Sequence, residues 1–258
     1  MAEGAASVKV VIPARYGSSR LPGKPLADIA GTPMVIHVWR RAVQAAGGPS
    51  SVVIAVDDDR VADVAGAHGA QVLMTCGNHA SGTERSAEVA DRLGWDDTEI
   101  VVNLQGDEPL IPVDLIGRVA GALASTTDAE IATLACPFEN NADISDPNLV
   151  KVVCDARGRA CYFSRAPIPH DRTHGRPDLR HFPYLRHIGL YAYRVGTLRR
   201  LSGLPPAPME TIEHLEQLKA LWHGMPILVE RIAHAPPHGV DTPDDLAAMR
   251  RHVLGGPV

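Results

Sequence analysis

Short apolar runs alternate with amphipathic stretches along the first half of the chain. Val8, Val10, Val11 and Ile12 open it as a strand with no polar face, the signature of a strand inside a parallel sheet. Residues 33–46 carry apolar positions 34, 35, 38, 39, 42 and 43 at helical spacing. Thr32 is the expected cap, Pro33 the first helical residue and Gly47-Gly48 the stop. A second buried strand is expected over 51–56, and Asp57-Asp-Asp59 then opens a helix that reaches about His68, one aspartate serving as its cap. Residues 71–75 read as strand, 83–93 as helix, 99–104 as strand and 113–124 as helix. This spacing is that of βαβ units with right-handed crossovers.

The second half changes period. Residues 130–136 form a strand, and 150–154 and 160–164 flank a turn as an antiparallel hairpin. Residues 165–183, rich in Pro, His and Arg without periodicity, read as a long mobile loop. Strand follows at 187–193, then one helix over 211–222 with apolar positions 212, 215, 218, 221 and 222, strand at 226–232 and a last helix opening at Asp241-Thr-Pro. The expectation is an α/β fold, with a mixed, mostly parallel Rossmann-like sheet and an inserted antiparallel part. The whole of 1–258 reads as one unit, with 139–200 the inserted part, suited to a lid or a dimer surface.

Composition narrows the function classes. A net charge of −5 and 4% aromatic content argue against a protein that coats nucleic acid. The four cysteines, Cys76, Cys136, Cys154 and Cys161, lack metal-type spacing and read as free thiols. The N-terminal stretch has neither a basic region nor an apolar core, and no apolar run approaches membrane-spanning length. A cytoplasmic enzyme is the expected class.

The candidate chemistry begins where the first strand ends. Arg15, Arg20 and Lys24 sit on a loop shaped by Gly17, Gly23, Pro22 and Pro25, and phosphates bind at that place in open α/β sheets. A Walker-A loop is excluded, because five residues separate Gly17 from Gly23 and Pro25 stands where a hydroxyl residue would ligate Mg²⁺. A dinucleotide fingerprint is also missing, so cations rather than a tight nest of N–H groups must hold the charge. Gln105-Gly-Asp-Glu-Pro109 ends the fourth strand, which puts Asp107 in the same crevice, placed for Mg²⁺ or for a turn. In Gly239-Val-Asp-Thr-Pro-Asp-Asp245, capping explains Thr242 and Asp245 and leaves Asp241 unassigned.

Together and in order, Val11-Ile-Pro-Ala-Arg-Tyr-Gly-Ser-Ser-Arg-Leu-Pro-Gly-Lys-Pro25, Ser81-Gly-Thr-Glu-Arg85, Asn103-Leu-Gln-Gly-Asp-Glu-Pro109, Tyr162-Phe-Ser-Arg165, Arg186-His-Ile-Gly-Leu-Tyr191 and Gly239-Val-Asp-Thr-Pro243 closely resemble the 3-deoxy-manno-octulosonate (Kdo) cytidylyltransferases. The resemblance covers nearly the whole chain. The related CMP-sialic acid synthetases begin similarly but continue Gly-Gly-Ser-Lys, whereas Arg20-Leu-Pro-Gly-Lys-Pro25 is the Kdo-type continuation.

This resemblance implies transfer of CMP from CTP to Kdo, with Mg²⁺ as cofactor, in a homodimer. It implies Arg15, Arg20 and Lys24 on the triphosphate, Asp107 and Asp241 on the metal, and Ser81, Gly82 and Arg85 at the nucleotide, with Arg85 reading the cytosine edge. For the sugar acid it points to Gln105, Arg165, His187, Tyr191, Glu216 and Gln217. His170, His174 and His181 read as surface residues. Two alternatives stand beside it: a cytidylyltransferase for another 2-keto sugar acid, and a non-catalytic nucleotide-binding protein.

Overall fold

The computed structural model describes residues 8–18, 20–79 and 81–255. In chain order it contains β1 (Lys9–Ala14), a small hairpin β2 (Asp28–Ile29) and β3 (Thr32–Pro33), α1 (Met34–Ala46), β4 (Val52–Val56), α2 (Asp59–Ala67), β5 (Gln71–Met74), α3 (Gly82–Arg92), β6 (Ile100–Asn103) and α4 (Val113–Ala124). It continues through β7 (Ile131–Pro137), α5 (Asn141–Ile144), β8 (Lys151–Cys154), β9 (Ala160–Ser164), β10 (Leu185–Arg194), α6 (Val195–Ser202), α7 (Pro208–Glu213), α8 (Gln217–Trp222), β11 (Ile227–Arg231) and α9 (Pro243–Val253). Val119–Ala235 forms one compact unit, and the described residues on either side of it form the other.

In the first unit the strands run β6-β1-β4-β5, all parallel, as the alternating pattern predicts. Val10, Val11 and Ile12 of β1 and every residue of β4 are buried, because helices cover both faces of a parallel sheet. α1 ends at Gly47 in the left-handed conformation, φ 73°, as expected of its Gly-Gly stop. Its start differs from expectation. Thr32 and Pro33 pair as a strand with Asp28 and Ile29, and the Met34 N–H donates to the Ala27 carbonyl at 2.9 Å. Thr32 is therefore not a cap; a hairpin closes the helix entry in its place. Ile29 and Met34 then pack with Val240, Leu246 and Met249, which docks α9 beside the hairpin.

In the second unit the order is β11-β7-β10, with β7 parallel to β11 and antiparallel to β10, and β8 pairs with both β10 and β9. The predicted hairpin is thus present as β8 and β9. Lys151 on β8 is fully buried, and its ammonium donates to the carbonyls of Asp146, Leu149 and Arg165. The single helix expected over 211–222 is two short ones. His214 between α7 and α8 adopts φ 51°, which breaks the apolar stripe, and leaves Ile212 82% and Trp222 54% exposed while Leu215 and Leu218 are buried. Arg165 explains the break: its guanidinium takes the carbonyls of Glu213 (2.7 Å) and His214 (3.3 Å), groups that a continuous helix would have used internally.

Candidate active site

Parallel strands deliver their C-terminal ends to one edge of a sheet, and the loops there carry the candidate chemistry. β1 leads into Arg15–Lys24, β4 into Asp57 and β6 into Gln105-Gly-Asp107. A cavity of about 390 Å³ opens there, lined among others by Arg15, Arg20, Lys24, Gln105, Asp107 and Asp241.

Lys24 is the centre of the site. It sits on a 3₁₀ turn entered through Gly23 at φ 68°, and the Gly23 N–H closes the loop on the Tyr16 carbonyl at 3.3 Å. Its ammonium donates to Asp107 Oδ2 at 2.5 Å and to Asp241 Oδ1 at 2.9 Å, with the side chain only 12% exposed. Burial works against its charge, yet the two carboxylates, Asp107 foremost, outweigh it and raise the lysine above its ordinary value. Arg20 adds a second cation on Asp241 Oδ1 at 2.9 Å. Two short backbone approaches fix this arrangement. A Cβ on Gly106 would lie 2.8 Å from the Pro13 carbonyl oxygen, and one on Gly239 would lie 2.8 Å from Glu108 Oε1. The Val240 N–H donates to the Asp107 carbonyl at 2.9 Å, which brings Asp241 beside Asp107. The Thr242–Asp245 capping box expected at α9 is present, so Asp241 is spared from capping with its side chain.

Oxygen donors suit a hard dication, and two carboxylates converging on one cation already show that the pocket can hold positive charge at that point. The donor set therefore fits Mg²⁺, with Asp107 and Asp241 as the groups that would hold it.

Asp57 carries more of the site than its sequence position suggests. Of the three aspartates, Asp58 is the cap of α2, accepting the Arg60 N–H at 3.0 Å. Asp57 instead accepts the Tyr16 N–H at 2.9 Å and Arg85 at 3.2 Å, and lies 3.7 Å from Arg15. It braces the cationic loop from beneath. Three successive aspartates exceed what one helix start needs, and that surplus was the available signal.

Arg85 departs from the base-edge reading that the resemblance implied. It is 0% exposed, bonded to Asp57 and Thr75, absent from the cavity lining, and burial depresses its pKa despite Asp57. Ser81 caps α3 by accepting the Glu84 N–H at 3.2 Å. Gly82 lines the cavity, where a Cβ would meet Pro13 at 3.3 Å and the Asn103 amide at 3.4 Å.

The remaining sugar-acid candidates lie in the second unit. Arg165 is engaged with Pro147, Glu213 and His214 carbonyls, and Glu213 also accepts its backbone N–H and the Ser164 hydroxyl. His187 pairs with Thr133 at 3.0 Å and meets Phe163 edge-on; burial pushes it down to about 3, so it is neutral. Tyr191 lies 5.4 Å from the His187 ring, near Thr133 but with its hydroxyl making no well-formed hydrogen bond among the described residues, and burial raises its pKa well above normal. The Gln217 amide nitrogen is likewise buried without a partner among those residues, beside Glu216 at the start of α8.

A family model described as Cytidylyltransferase matches residues 9–232. The chain is 54% identical to the 3-deoxy-manno-octulosonate cytidylyltransferase of Halorhodospira halophila, over 95% of this chain and 96% of that protein. It is 52% identical to the same enzyme of Acidovorax ebreus, over 98% and 99% respectively. Among solved structures, CMP:2-keto-3-deoxy-manno-octonic acid synthetase complexed with CTP superposes with a TM-score of 0.88 at 42% identity, over 96% of this chain and 98% of that one. A cytidylyltransferase from Leptospira borgpetersenii shares the fold, with a TM-score of 0.63 at 16% identity, over 98% and 89%. The chain belongs to the cytidylyltransferase family. Within it, the chain is a member of the 3-deoxy-manno-octulosonate cytidylyltransferases, as its motifs led us to expect.

Proposed function

We propose that this protein activates Kdo with CTP, giving CMP-Kdo and pyrophosphate for lipopolysaccharide assembly. The observation that carries the proposal is the Lys24 ammonium, shared by Asp107 and Asp241 in a cavity rimmed by Arg15 and Arg20. Relatives named for this reaction, and a similar structure holding CTP, support it.

The anomeric hydroxyl of the sugar acid forms a bond to the α-phosphorus of CTP as the bond from that phosphorus to the bridging oxygen breaks. The hydroxyl proton passes to solvent, and the electron pair leaves with pyrophosphate. Such a transfer depends on positioning and on neutralising charge rather than on a covalent intermediate. Arg15 and Lys24 clamp the triphosphate, and Arg20 supports Asp241 until an anion draws it away. Asp57 keeps Arg15 and the Tyr16 backbone in register. Asp107 and Asp241 would hold Mg²⁺, which when bound would supply Lewis-acid stabilisation of the phosphate oxygens. Gln105, Tyr191, Glu216 and Gln217 offer hydrogen bonds to the sugar, with neutral His187 as a further partner.

We read the protein as a cytoplasmic homodimer, with the β8–β9 hairpin and the segment after it as the contact; light scattering at working concentration checks this. No helix among the described residues is long and apolar enough to cross a membrane. The defining test is pyrophosphate release with CTP and Mg²⁺ across a panel of 2-keto sugar acids. Release with Kdo is expected, and its absence would overturn the reading.

A further inference from the structure

Away from the cavity, Asp171, His174 and His181 are the one group of three metal-ligating side chains that converges among the described residues. Their ligand atoms all lie within 4.8 Å of one another. His174 Nδ1 is 2.8 Å and His181 Nδ1 3.4 Å from the same oxygen, Asp171 Oδ2. The two imidazoles stack with centroids 3.7 Å apart and planes 13° apart, and each has its Nδ1 near Asp171 Oδ2.

The backbone holds this convergence from two separate turns. Asp171 Oδ1 accepts the N–H groups of Thr173 and His174, each at 3.0 Å, which orients the carboxylate and leaves Oδ2 for the imidazoles. The second turn is set by Asp178, whose carbonyl accepts the His181 N–H at 3.0 Å and the Phe182 N–H at 3.2 Å. Asp178 itself is pinned by the Arg180 guanidinium, which holds its carboxyl far below the usual range.

We propose that Asp171, His174 and His181 form a binding site for a borderline divalent cation of the Zn²⁺ type, which clasps the two turns of the 165–183 segment. Two imidazole nitrogens and one carboxylate oxygen match zinc and its neighbours rather than Mg²⁺. Bonds of about 2.0–2.2 Å place tetrahedral ligands roughly 3.3–3.6 Å apart, which brackets the observed His181–Asp171 separation; the ion needs the His174 pair to open and one exposed imidazole to turn out of the stack, so that both ring lone pairs point at it. His174 and His181 are exposed, so a cation reaches the site from solvent and water completes its shell. The site uses none of the groups assigned to nucleotide or sugar acid, so it stands apart from the reaction proposed above.

The test is Zn²⁺ titration of tag-free protein against a chromophoric chelator, in excess Mg²⁺ to occupy Asp107 and Asp241. One zinc equivalent is expected, retained in Asp107→Asn and in a Cys76→Ser, Cys161→Ser double variant, and weakened by at least about tenfold in His181→Gln and Asp171→Asn. Zinc should also slow tryptic cleavage after Arg172 and Arg180 in the wild type but not in His181→Gln, with circular dichroism confirming that the variants fold. Absence of an equivalent in the wild type, its survival in folded His181→Gln, or its loss in the cysteine variant would overturn the site.

Discussion

Lys24 stands between two carboxylates at 2.5 and 2.9 Å, and replacing it leaves both without their cation. Lys24→Ala is expected to lower kcat for pyrophosphate release by about 100-fold or more, the scale seen when one charge-stabilising donor is lost. Asp107→Asn should do the same while the thermal midpoint is largely kept; near-normal turnover would remove Asp107 from the machinery. His187 offers a pH test. Its folded pKa, about 3, lies below the ordinary histidine value of about 6.5, so between those limits the unfolded chain binds the extra proton. Stability should therefore fall as pH drops from about 6.5 towards 3, and His187→Gln should flatten that slope in urea unfolding measured at pH 5 and pH 8.

At this scale the sequence spoke unevenly. Lys24 stood out as a lysine on a loop just past a strand; Asp107, which a turn could also explain, and Asp241, which capping left unassigned, were drawn to the metal by the family resemblance. Arg85 could not be read correctly, because its burial depends on Asp57 and Thr75, residues 28 and 10 positions away that come together only in the fold. Which of Asp57, Asp58 and Asp59 would cap the helix, and which would brace the loop, was likewise open until the fold brought Tyr16 and Arg85 to Asp57.

Among the elements, the parallel strands and the helices of the first unit were legible from periodicity, since each buries a face against the same sheet, whereas the β2–β3 hairpin at the entry to α1 was not. The errors fell where a polar contact overrode an apolar pattern. Residues 211–222 have a clean helical stripe, yet the Arg165 guanidinium captures the Glu213 and His214 carbonyls and the chain turns through φ 51° at His214. A left-handed non-glycine residue costs about 1 kcal/mol, so His214→Gly should leave stability unchanged or raise it by up to that amount. His214→Val should lower it, because a β-branched side chain tolerates that conformation least. Equilibrium unfolding of the pair decides. Gly106 is the opposite case: Gly106→Ala would drive a Cβ to 2.8 Å from the Pro13 carbonyl oxygen, so the Asp107 turn must move and both stability and turnover should fall.

Over the whole molecule, the nucleotide candidates and the sugar-acid candidates, Gln105 excepted, divide between the two compact units. Arg15, Arg20, Lys24, Ser81, Gly82, Asp107 and Asp241 belong to the first; Arg165, His187, Tyr191, Glu216 and Gln217 belong to Val119–Ala235. Tyr191→Phe and Gln217→Leu should therefore raise KM for Kdo while leaving CTP affinity, measured by calorimetry without sugar, within about twofold, since residues that share no partners act independently. The division itself was not legible. Apolar patterning reports which residues are inside, and both units share the same compositional style.

The shared lysine has a thermodynamic consequence. A triphosphate that draws the Lys24 ammonium to itself releases two carboxylates for a dication, and a dication on those carboxylates releases the lysine for phosphate. Nucleotide and metal must then favour each other by the same factor in both directions, as linkage requires. Mn²⁺ titrations with and without CTP, and CTP titrations with and without Mn²⁺, should give equal ratios once the complex formed in solution is subtracted. In Lys24→Gln, where the carboxylates no longer have an ammonium to surrender, that cooperativity should shrink.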